Sequence, residues 1–227
     1  NQILERKNNM KKFLLHTCCA PCSIAVIDEL KDQYDLTVFF YNPNIYPEEE
    51  YLKRKKEVVK ICQEWGIKMV DLETTKISTV FSLEREEISK IDYDQEEWNY
   101  GIKGLENEPE GGARCSKCFL FRLEKTAKYA KEFGFDIFCT TLTSGRNKKA
   151  EIINSIGRSL SKKYGIEFLE ADWKKDKQFT PAKITVDKQE SRQEKATRLI
   201  KERGIYRQKY CGCKFSLPKI YFDQNKT

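Results

Sequence analysis

The sequence predicts an α/β fold with three layers, in which helices cover both faces of a parallel sheet of about five strands. Short apolar runs alternate along the chain with helical patterns of roughly 12 to 18 residues, as parallel strands joined by crossover helices do. The run 36–41 is apolar nearly throughout, which is typical of a strand buried on both faces. A chain of 227 residues is long enough to bury one core of this kind.

The elements follow one another in a regular order. The predicted strands are residues 12–18, 36–41, 67–72, 135–141 and 166–170. The predicted helices are residues 21–30, 47–64, the segment that follows Cys118 and ends at Phe133, 147–164 and 189–203. Pro21 suits the first turn of a helix, where the missing N–H has no partner to lose. Ligands bind at the carboxyl ends of parallel strands, so we expect the segments at Cys18, Asn42, Thr141 and Asp172 to meet at one edge of the sheet.

We expect one catalytic domain over residues 12–216, with two segments of unusual charge. Residues 84–110 hold ten acidic and three basic residues, and we interpret 84–112 as an acidic insertion over or beside a site. Residues 183–227 hold 12 Lys and Arg against five Asp and Glu, which equals the whole formal charge of +7. This basic C-terminal segment could follow a phosphate backbone or form a solvated helix face, and charge alone leaves both open.

Membrane and secretory signals are not found. No apolar run approaches the ~20 residues that a transmembrane helix needs, and residues 1–12 are polar and charged. We therefore expect a cytoplasmic protein with no membrane partner. Thiols stay reduced in that compartment, so the nine cysteines are more readily explained by metal binding or redox chemistry than by structural disulfides.

Seven of the nine cysteines form three clusters, at residues 18–22, 115–118 and 211–213. Cys62 and Cys139 lie in apolar segments and are expected in the core. Two C-x-x-C pairs, one at each of the first two clusters, are predicted at helix N-termini, which favour the thiolate form. Four such thiolates can hold either zinc or a [4Fe–4S] cluster, and the spacing does not decide between them. Three further thiols exceed the four ligands of a closed zinc site, which favours a redox site or a second metal.

The third cluster, Cys211-Gly-Cys213, differs from the other two. Two cysteines separated by one glycine can form a strained and therefore labile disulfide, which suits a reservoir of electrons. His16 is the only histidine of the chain. It is expected either to be hydrogen-bonded locally or to act beside the first cysteine cluster.

Together these motifs resemble the QueH family of epoxyqueuosine reductases over about residues 12–216. The similarity rests on the segments HTCCAPCS at 16–23, YNPNI at 41–45, C-x-x-C at 115–118, TTL at 140–142 and YRQKYCGC at 206–213. The resemblance implies two-electron reduction of the epoxide of epoxyqueuosine to queuosine at the wobble position of tRNA. It also implies a cytoplasmic oxidoreductase with an iron–sulfur cofactor and no cobalamin, a sheet of the Rossmann-like adenine-nucleotide α-hydrolase (HUP) order 3-2-1-4-5, and an electron donor that the sequence does not identify.

The same resemblance implies roles for individual residues. Cys18, Cys19, Cys115 and Cys118 would hold the [4Fe–4S] cluster, and Cys211 and Cys213 would be the redox-active pair. Cys22 is left without a settled role. We hypothesise that it joins Cys211 or Cys213 around a second metal ion, iron or zinc, that polarises the epoxide oxygen.

Proton donation and tRNA binding complete the expected site. Asp172 could donate the proton for loss of oxygen as water, or could cap a turn, and Tyr46 stands where the family usually carries histidine. After Asp172 the chain has Trp173-Lys174-Lys175 in place of the family's usual aromatic-Arg-Lys run. The residues expected to contact the anticodon loop of the tRNA by hydrogen bonding, charge or stacking are Asn42, Asn44, Thr141, Arg207 and Tyr210.

Two other functions are compatible with parts of the sequence. An ATP-dependent tRNA-modifying enzyme of similar fold would need a glycine-rich phosphate loop after the first strand, where this chain has Cys18-Cys-Ala-Pro-Cys22. A zinc-dependent RNA-binding module would explain four cysteines and the basic segment. It would leave Cys22, Cys211 and Cys213 without a role.

Overall fold

A computed structural model describes residues 10–71, 95–175 and 190–217, and the structural statements below concern these residues. Five parallel strands form one sheet in the order β3-β2-β1-β4-β5. They are β1 (Lys12–His16), β2 (Asp35–Phe39), β3 (Lys68–Val70), β4 (Ile137–Thr140) and β5 (Glu167–Phe168). The predicted fold class and strand order are confirmed.

Six α-helices and two 3-10 turns connect the described strands. The helices are α1 (Ala20–Leu30), α2 (Glu48–Trp65), α3 (Gln95–Gly101), α4 (Ala113–Glu132), α5 (Ala150–Tyr164) and α6 (Arg192–Glu202). The 3-10 turns are Thr141–Ser144 and Lys214–Ser216. No helix within the described ranges combines the length and the apolar character needed to cross a bilayer.

The side chains of β1 alternate between two hydrophobic cores, one on each face of the sheet. Phe13 and Leu15 belong to the core that includes side chains of α1, α2 and α6, whereas Leu14 belongs to the core of α4 and α5. Both sets are fully buried. This alternation is that of a strand covered by helices on both faces, and it gives the three layers that the sequence predicts.

Two elements differ from the prediction in their bounds. The last strand, β5, has only two residues. It is an edge strand, and its one neighbour in the sheet is β4. It is covered at close range, because a Cβ on Gly157 of α5 would lie 2.1 Å from the Phe168 ring. Helix α4 begins at Ala113, before the second cysteine cluster rather than after it, so that Cys115 and Cys118 both lie within the helix.

The predicted acidic insertion and basic C-terminal segment fall partly outside the described residues, at 84–94, 183–189 and 218–227. Within the described part of the insertion, Trp98 of α3 is buried beside Cys118 and Cys213. Arg114 fixes the turn that follows α3 by donating hydrogen bonds to the carbonyl oxygens of Leu105, Glu106 and Glu108. This segment therefore lies against two of the cysteine clusters.

Candidate metal centre

His16 ties together the carboxyl ends of three segments at one edge of the sheet. Its Nε2–H donates to the carbonyl of Tyr41 at 3.0 Å, and its Nδ1 accepts from the hydroxyl of Thr140 at 2.8 Å. Burial lowers the pKa of His16 to about 3, so the ring is neutral and can make both contacts. Of the two roles that the sequence left open, the structure shows local hydrogen bonding.

Three thiols gather directly after β1. Cys19 is the N-cap of α1, Pro21 occupies its first turn, and Cys22 lies one turn into the helix. The sulfur atoms of Cys18, Cys19 and Cys22 all lie within 4.8 Å of one another, with Cys18 and Cys19 at 3.8 Å. This is the tightest group of candidate metal ligands in the part of the chain that the structure describes.

The three thiols differ in acidity. Hydrogen bonds from Cys19 and Cys22 lower the pKa of Cys18 well below the usual value for a thiol. The pKa of Cys19 is raised, mainly by burial, and that of Cys22 is raised to about 12, mainly by its hydrogen bond to Cys18. Thiolate is the form that binds metal, so the lowered pKa of Cys18 favours metal binding at this group. Gln208 adds a donor to the group, with its Nε2 at 2.9 Å from the sulfur of Cys19.

The second cysteine pair projects from the first turns of α4. The backbone N–H of Gly111 donates to the sulfur of Cys115 at 3.2 Å, and the buried Cys118 packs with Cys213. Burial raises the pKa of Cys115, and the nearby thiols of Cys211 and Cys118 raise it further. The second and third cysteine clusters therefore share one environment.

The third cluster is held by the segment that leads into α2. Cys213 forms an isolated antiparallel bridge with Ile45, and the Tyr46 N–H donates to the Gly212 carbonyl at 2.8 Å. Gly212 has a φ of 108°, and a Cβ there would lie 3.0 Å from both the Arg54 guanidinium and Ile45. Only glycine therefore fits between the two cysteines without strain.

Arg54 of α2 holds the same loop through the loop's backbone carbonyl groups. Its guanidinium donates at 3.1 Å to the carbonyl oxygens of both Tyr210 and Cys211, and it is paired at 2.7 Å with Glu50. The other oxygen of Glu50 accepts from the Tyr206 hydroxyl at 2.8 Å. One buried ion pair thus anchors the chain on the N-terminal side of Cys213.

Two cations lie between the cysteine clusters. Lys148 Nζ is 3.5 Å from the sulfur of Cys211, and it also interacts electrostatically with Cys18 and Cys22. Burial acts to lower the pKa of Lys148, but the attraction of these thiols outweighs it and the pKa is raised. The second cation, Arg122 of α4, interacts with thiols of all three clusters. Positive charge between the clusters stabilises thiolates on either side.

The residues expected to contact tRNA occupy two environments. Asn42, Asn44 and Thr141 are buried. Asn42 donates to the Thr17 carbonyl at 2.9 Å and accepts from Arg122 at 3.3 Å, so its side chain is occupied within the protein. Arg207 is exposed, and the hydroxyl of the half-buried Tyr210 donates to the Tyr46 carbonyl.

The two proposed proton donors also differ. Asp172 lies in a turn, where its carboxylate accepts from the Lys174 N–H at 3.4 Å and pairs with Lys175 at 3.6 Å. These are the contacts of the turn-capping role that the sequence left open. Tyr46 is 42% exposed beside the third cysteine cluster, which leaves its ring accessible to a large substrate.

Sequence reasoning missed four residues that touch the thiols or their backbone: Arg54, Arg122, Lys148 and Gln208. Each is a single polar residue with no motif around it, apart from Gln208, which stands inside the segment that resembles the QueH family. Gln208 could have been found from that motif. The others come into contact with the cysteines only through the fold.

A structure search returns the U34-tRNA thiolase NcsA from Methanococcus maripaludis with its [4Fe–4S] cluster. The similarity has a TM-score of 0.47 at 14% sequence identity and covers 97% of this chain and 70% of the thiolase. At that level it carries no argument about the present site.

Sequence comparisons are more specific. The family model "Epoxyqueuosine reductase QueH" matches residues 13–219. QueH of Acinetobacter baylyi is 36% identical over 216 residues, which cover 94% of this chain and 84% of that protein. QueH of Histophilus somni is 35% identical over 216 residues, which cover 94% of this chain and 75% of that protein. The match spans all three cysteine clusters, and the chain belongs to the QueH family of epoxyqueuosine reductases.

Proposed function

We propose that this chain reduces the epoxide of epoxyqueuosine to the alkene of queuosine at the wobble position of tRNA, in the cytoplasm and with the help of a [4Fe–4S] cluster. The observation that carries the proposal is the group of Cys18, Cys19 and Cys22 sulfurs within 4.8 Å of one another after β1, with Gln208 bound to Cys19 and with Cys213 packed against Cys118. Family membership supports the substrate and the reaction.

The thiols suit a soft metal centre. Thiolates select zinc, copper(I) and iron–sulfur clusters over hard cations, and the pKa of Cys18 is already lowered. Cys18, Cys19, Cys115 and Cys118 would hold the cluster. When bound, the cluster would relay, one at a time, the two electrons that the reaction consumes. The close approach of Cys22 to Cys18 and Cys19 makes Cys22 a rival ligand for the same centre.

The reaction consumes two electrons and two protons. Both carbon–oxygen bonds of the epoxide break, the electron pair forms the carbon–carbon double bond, and the oxygen leaves as water. The thiols of Cys211 and Cys213 would supply two electrons and two protons by closing to a disulfide. A separate electron donor, unidentified here, must then reduce that disulfide before the next turnover.

Three further roles belong to the proposal. Tyr46 or Asp172 would relay one of the two thiol protons to the departing oxygen, and the exposure of Tyr46 favours the tyrosine. A second metal ion, held by Cys22 with Cys211 or Cys213, would polarise the epoxide oxygen. The exposed Arg207 and the half-buried Tyr210 would contact the anticodon loop by charge and stacking. Asn42, Asn44 and Thr141 are buried, and they would support the bound substrate from the carboxyl edge of the sheet.

The test is anaerobic reconstitution with iron and sulfide, followed by turnover of tRNA that carries epoxyqueuosine. A brown protein with a broad band near 400 nm, roughly where cysteine-ligated clusters absorb, should convert the modified base. Cys118→Ser should lose the band, whereas Cys62→Ala, a change at a buried core cysteine of α2, should keep it. A colourless wild-type protein with stoichiometric zinc would instead favour the RNA-binding module.

Iron analysis separates the two assignments of Cys22. If Cys22 binds only a second metal, Cys22→Ser should keep four iron atoms per chain and lose one further metal ion. If Cys22 replaces Cys19 as a cluster ligand, Cys22→Ser should lose the 400 nm band and Cys19→Ser should retain it. A wild-type protein with four iron atoms and no other metal would rule out the second ion.

A further inference from the structure

Arg122 is a buried cation that no carboxylate pairs with in the described part of the chain. It lies on α4, one turn after Cys118, and its side chain is almost wholly excluded from solvent. Its Nε donates at 3.4 Å to the Cys118 carbonyl and its Nη1 donates at 3.3 Å to Asn42. Its Nη2 is buried and has no hydrogen-bond partner among the described residues.

Such a charge needs an anion. A guanidinium remains protonated in proteins, and a buried charge is strongly unfavourable unless an opposite charge accompanies it. Arg54 illustrates the usual solution, because its buried guanidinium is paired with Glu50. Arg122 has only neutral oxygen acceptors, and the ionisable groups that interact with it are cysteine thiols, which become anionic when they bind metal.

The thiols around Arg122 come from all three clusters. The thiols that interact with it electrostatically are Cys118, Cys18, Cys211 and Cys115. Asn42 fixes the position of the guanidinium, because its other side-chain atom is bound to the Thr17 carbonyl, next to Cys18. The guanidinium is therefore held between the β1–α1 turn and α4.

We propose that Arg122 is the internal counter-charge of the thiolate centre and raises the reduction potential of the cluster bound there. This inference rests on the cluster of the proposed function. Reduction adds one negative charge to the cluster, and a fixed positive charge at short range and low dielectric stabilises the reduced form more than the oxidised form. Arg122 is thus a positioning and tuning residue, and Asn42 holds its guanidinium in place.

The reduction potential of the reconstituted cluster tests this role. In a mediated dithionite titration, Arg122→Met should give a more negative potential than wild type, and Arg122→Lys should lie between the two. Arg203→Met is the matched control and should leave the potential unchanged. That arginine is the C-cap of α6 and is paired with Glu64 of α2. A wild-type potential in Arg122→Met would overturn the proposal.

Thermal unfolding supplies a second readout that a purely structural arginine would not give. Without iron, Arg122→Met should unfold at the wild-type temperature or above it, since an uncompensated buried cation has been removed. With the cluster bound, the same variant should unfold below wild type. Equal destabilisation of both forms would mean that Arg122 only packs, and would overturn the proposal.

Asn42→Asp keeps the test decisive if Arg122→Met does not hold the cluster. The new carboxylate would neutralise Arg122 while the guanidinium stays in place, so the potential should again become more negative. An unchanged potential in Asn42→Asp would then sink the inference alone. A wild-type chain that takes up zinc but no iron–sulfur cluster would overturn both this inference and the proposed function.

Discussion

The guanidinium of Arg54 donates a 3.1 Å hydrogen bond to the carbonyl oxygen of Cys211, although the two residues stand near opposite ends of the chain. Helix α2 thereby holds the third cysteine cluster in place. The redox-active pair of the proposed reaction thus depends on Arg54, which donates to the backbone of that loop. Other contacts that hold the loop come from Ile45, the Tyr46 N–H and the Tyr210 hydroxyl.

Arg54→Met should release this loop while leaving the expected cluster ligands in place. Loss of one partner strands Glu50 and two carbonyl oxygens, at a cost of about 3 kcal/mol in the free energy of unfolding. Cys211 should react faster with iodoacetamide, and turnover should fall more than tenfold while the 400 nm band remains. Arg158→Met, which removes an exposed pair with Glu170, should change neither rate. An unaltered alkylation rate in Arg54→Met would contradict the anchoring role.

Gly212→Ala should disturb the same loop through the backbone. Its φ of 108° disfavours any side chain, and the new methyl group would approach Arg54 and Ile45 at 3.0 Å. Strain of this kind costs about 1 to 3 kcal/mol, measurable by urea unfolding, and turnover should fall with it. Gly134→Ala has a positive φ of 67° but open space around it, so it isolates the conformational cost and should leave turnover intact. Equal turnover in the two variants would show that the close approach does not matter.

Gln208→Leu should weaken the hold on the first cysteine cluster. The Gln208 amide donates to the sulfur of Cys19 at 2.9 Å, and a hydrogen bond to a thiolate stabilises its charged form. The reconstituted variant should therefore lose iron to a chelator several-fold faster than wild type. Gln193→Leu alters an exposed glutamine of α6 and serves as the control. Identical rates of iron loss in wild type and Gln208→Leu would show that the contact is incidental.

Asp28 predicts a specific pH dependence of stability. Burial acts to raise its pKa, but hydrogen bonds and charge attraction from Lys195 and Lys31 outweigh this and lower it. A carboxyl whose folded pKa lies below the unfolded value stabilises the fold above the unfolded pKa, near 3.9, and loses that contribution as the pH falls through the folded pKa. Because the group is partly solvated, Asp28→Asn should cost about 1 kcal/mol or less at pH 7.

Denaturant unfolding of wild type and Asp28→Asn at pH 7 and at pH 2.5 checks the sign. The two proteins should differ at the higher pH and converge at the lower one. A difference that persists at pH 2.5 would show that Asp28 acts through packing rather than charge. Since Lys195 lies on α6, the same ion pair helps to position the helix that leads into the third cysteine cluster.

The fold was predictable because its signals are local and repeated. Apolar runs such as 36–41 mark buried strands wherever they occur, and the rule that ligands lie at strand ends brings Cys18 and Thr141 to one edge. The order of the strands came from the family resemblance. The start of α4 was placed after Cys118, whereas Gly112 caps a helix that already contains Cys115 and Cys118.

The charged surroundings of the thiols could not be predicted in the same way. Arg122 follows Cys118 on an amphipathic helix, where an arginine is ordinarily a solvated residue. In the fold it donates a hydrogen bond to Asn42, which follows β2, and the local pattern of α4 does not indicate that contact. Similarly, Arg192 and Arg203 of the basic C-terminal segment are paired with Glu29 and Glu64, which the local pattern of α6 does not indicate.

The position of the three cysteine clusters along the chain has a consequence for biosynthesis. Cys18, Cys19 and Cys22 leave the ribosome about 190 residues before Cys211 and Cys213. At ordinary elongation rates, the interval between them is roughly 10 to 40 seconds. During that time the nascent polypeptide presents the first three thiols without the loop that covers them. Assembly of the complete centre must therefore wait for Cys213, and the first thiols need protection from oxidants and stray copper or zinc until that loop has folded.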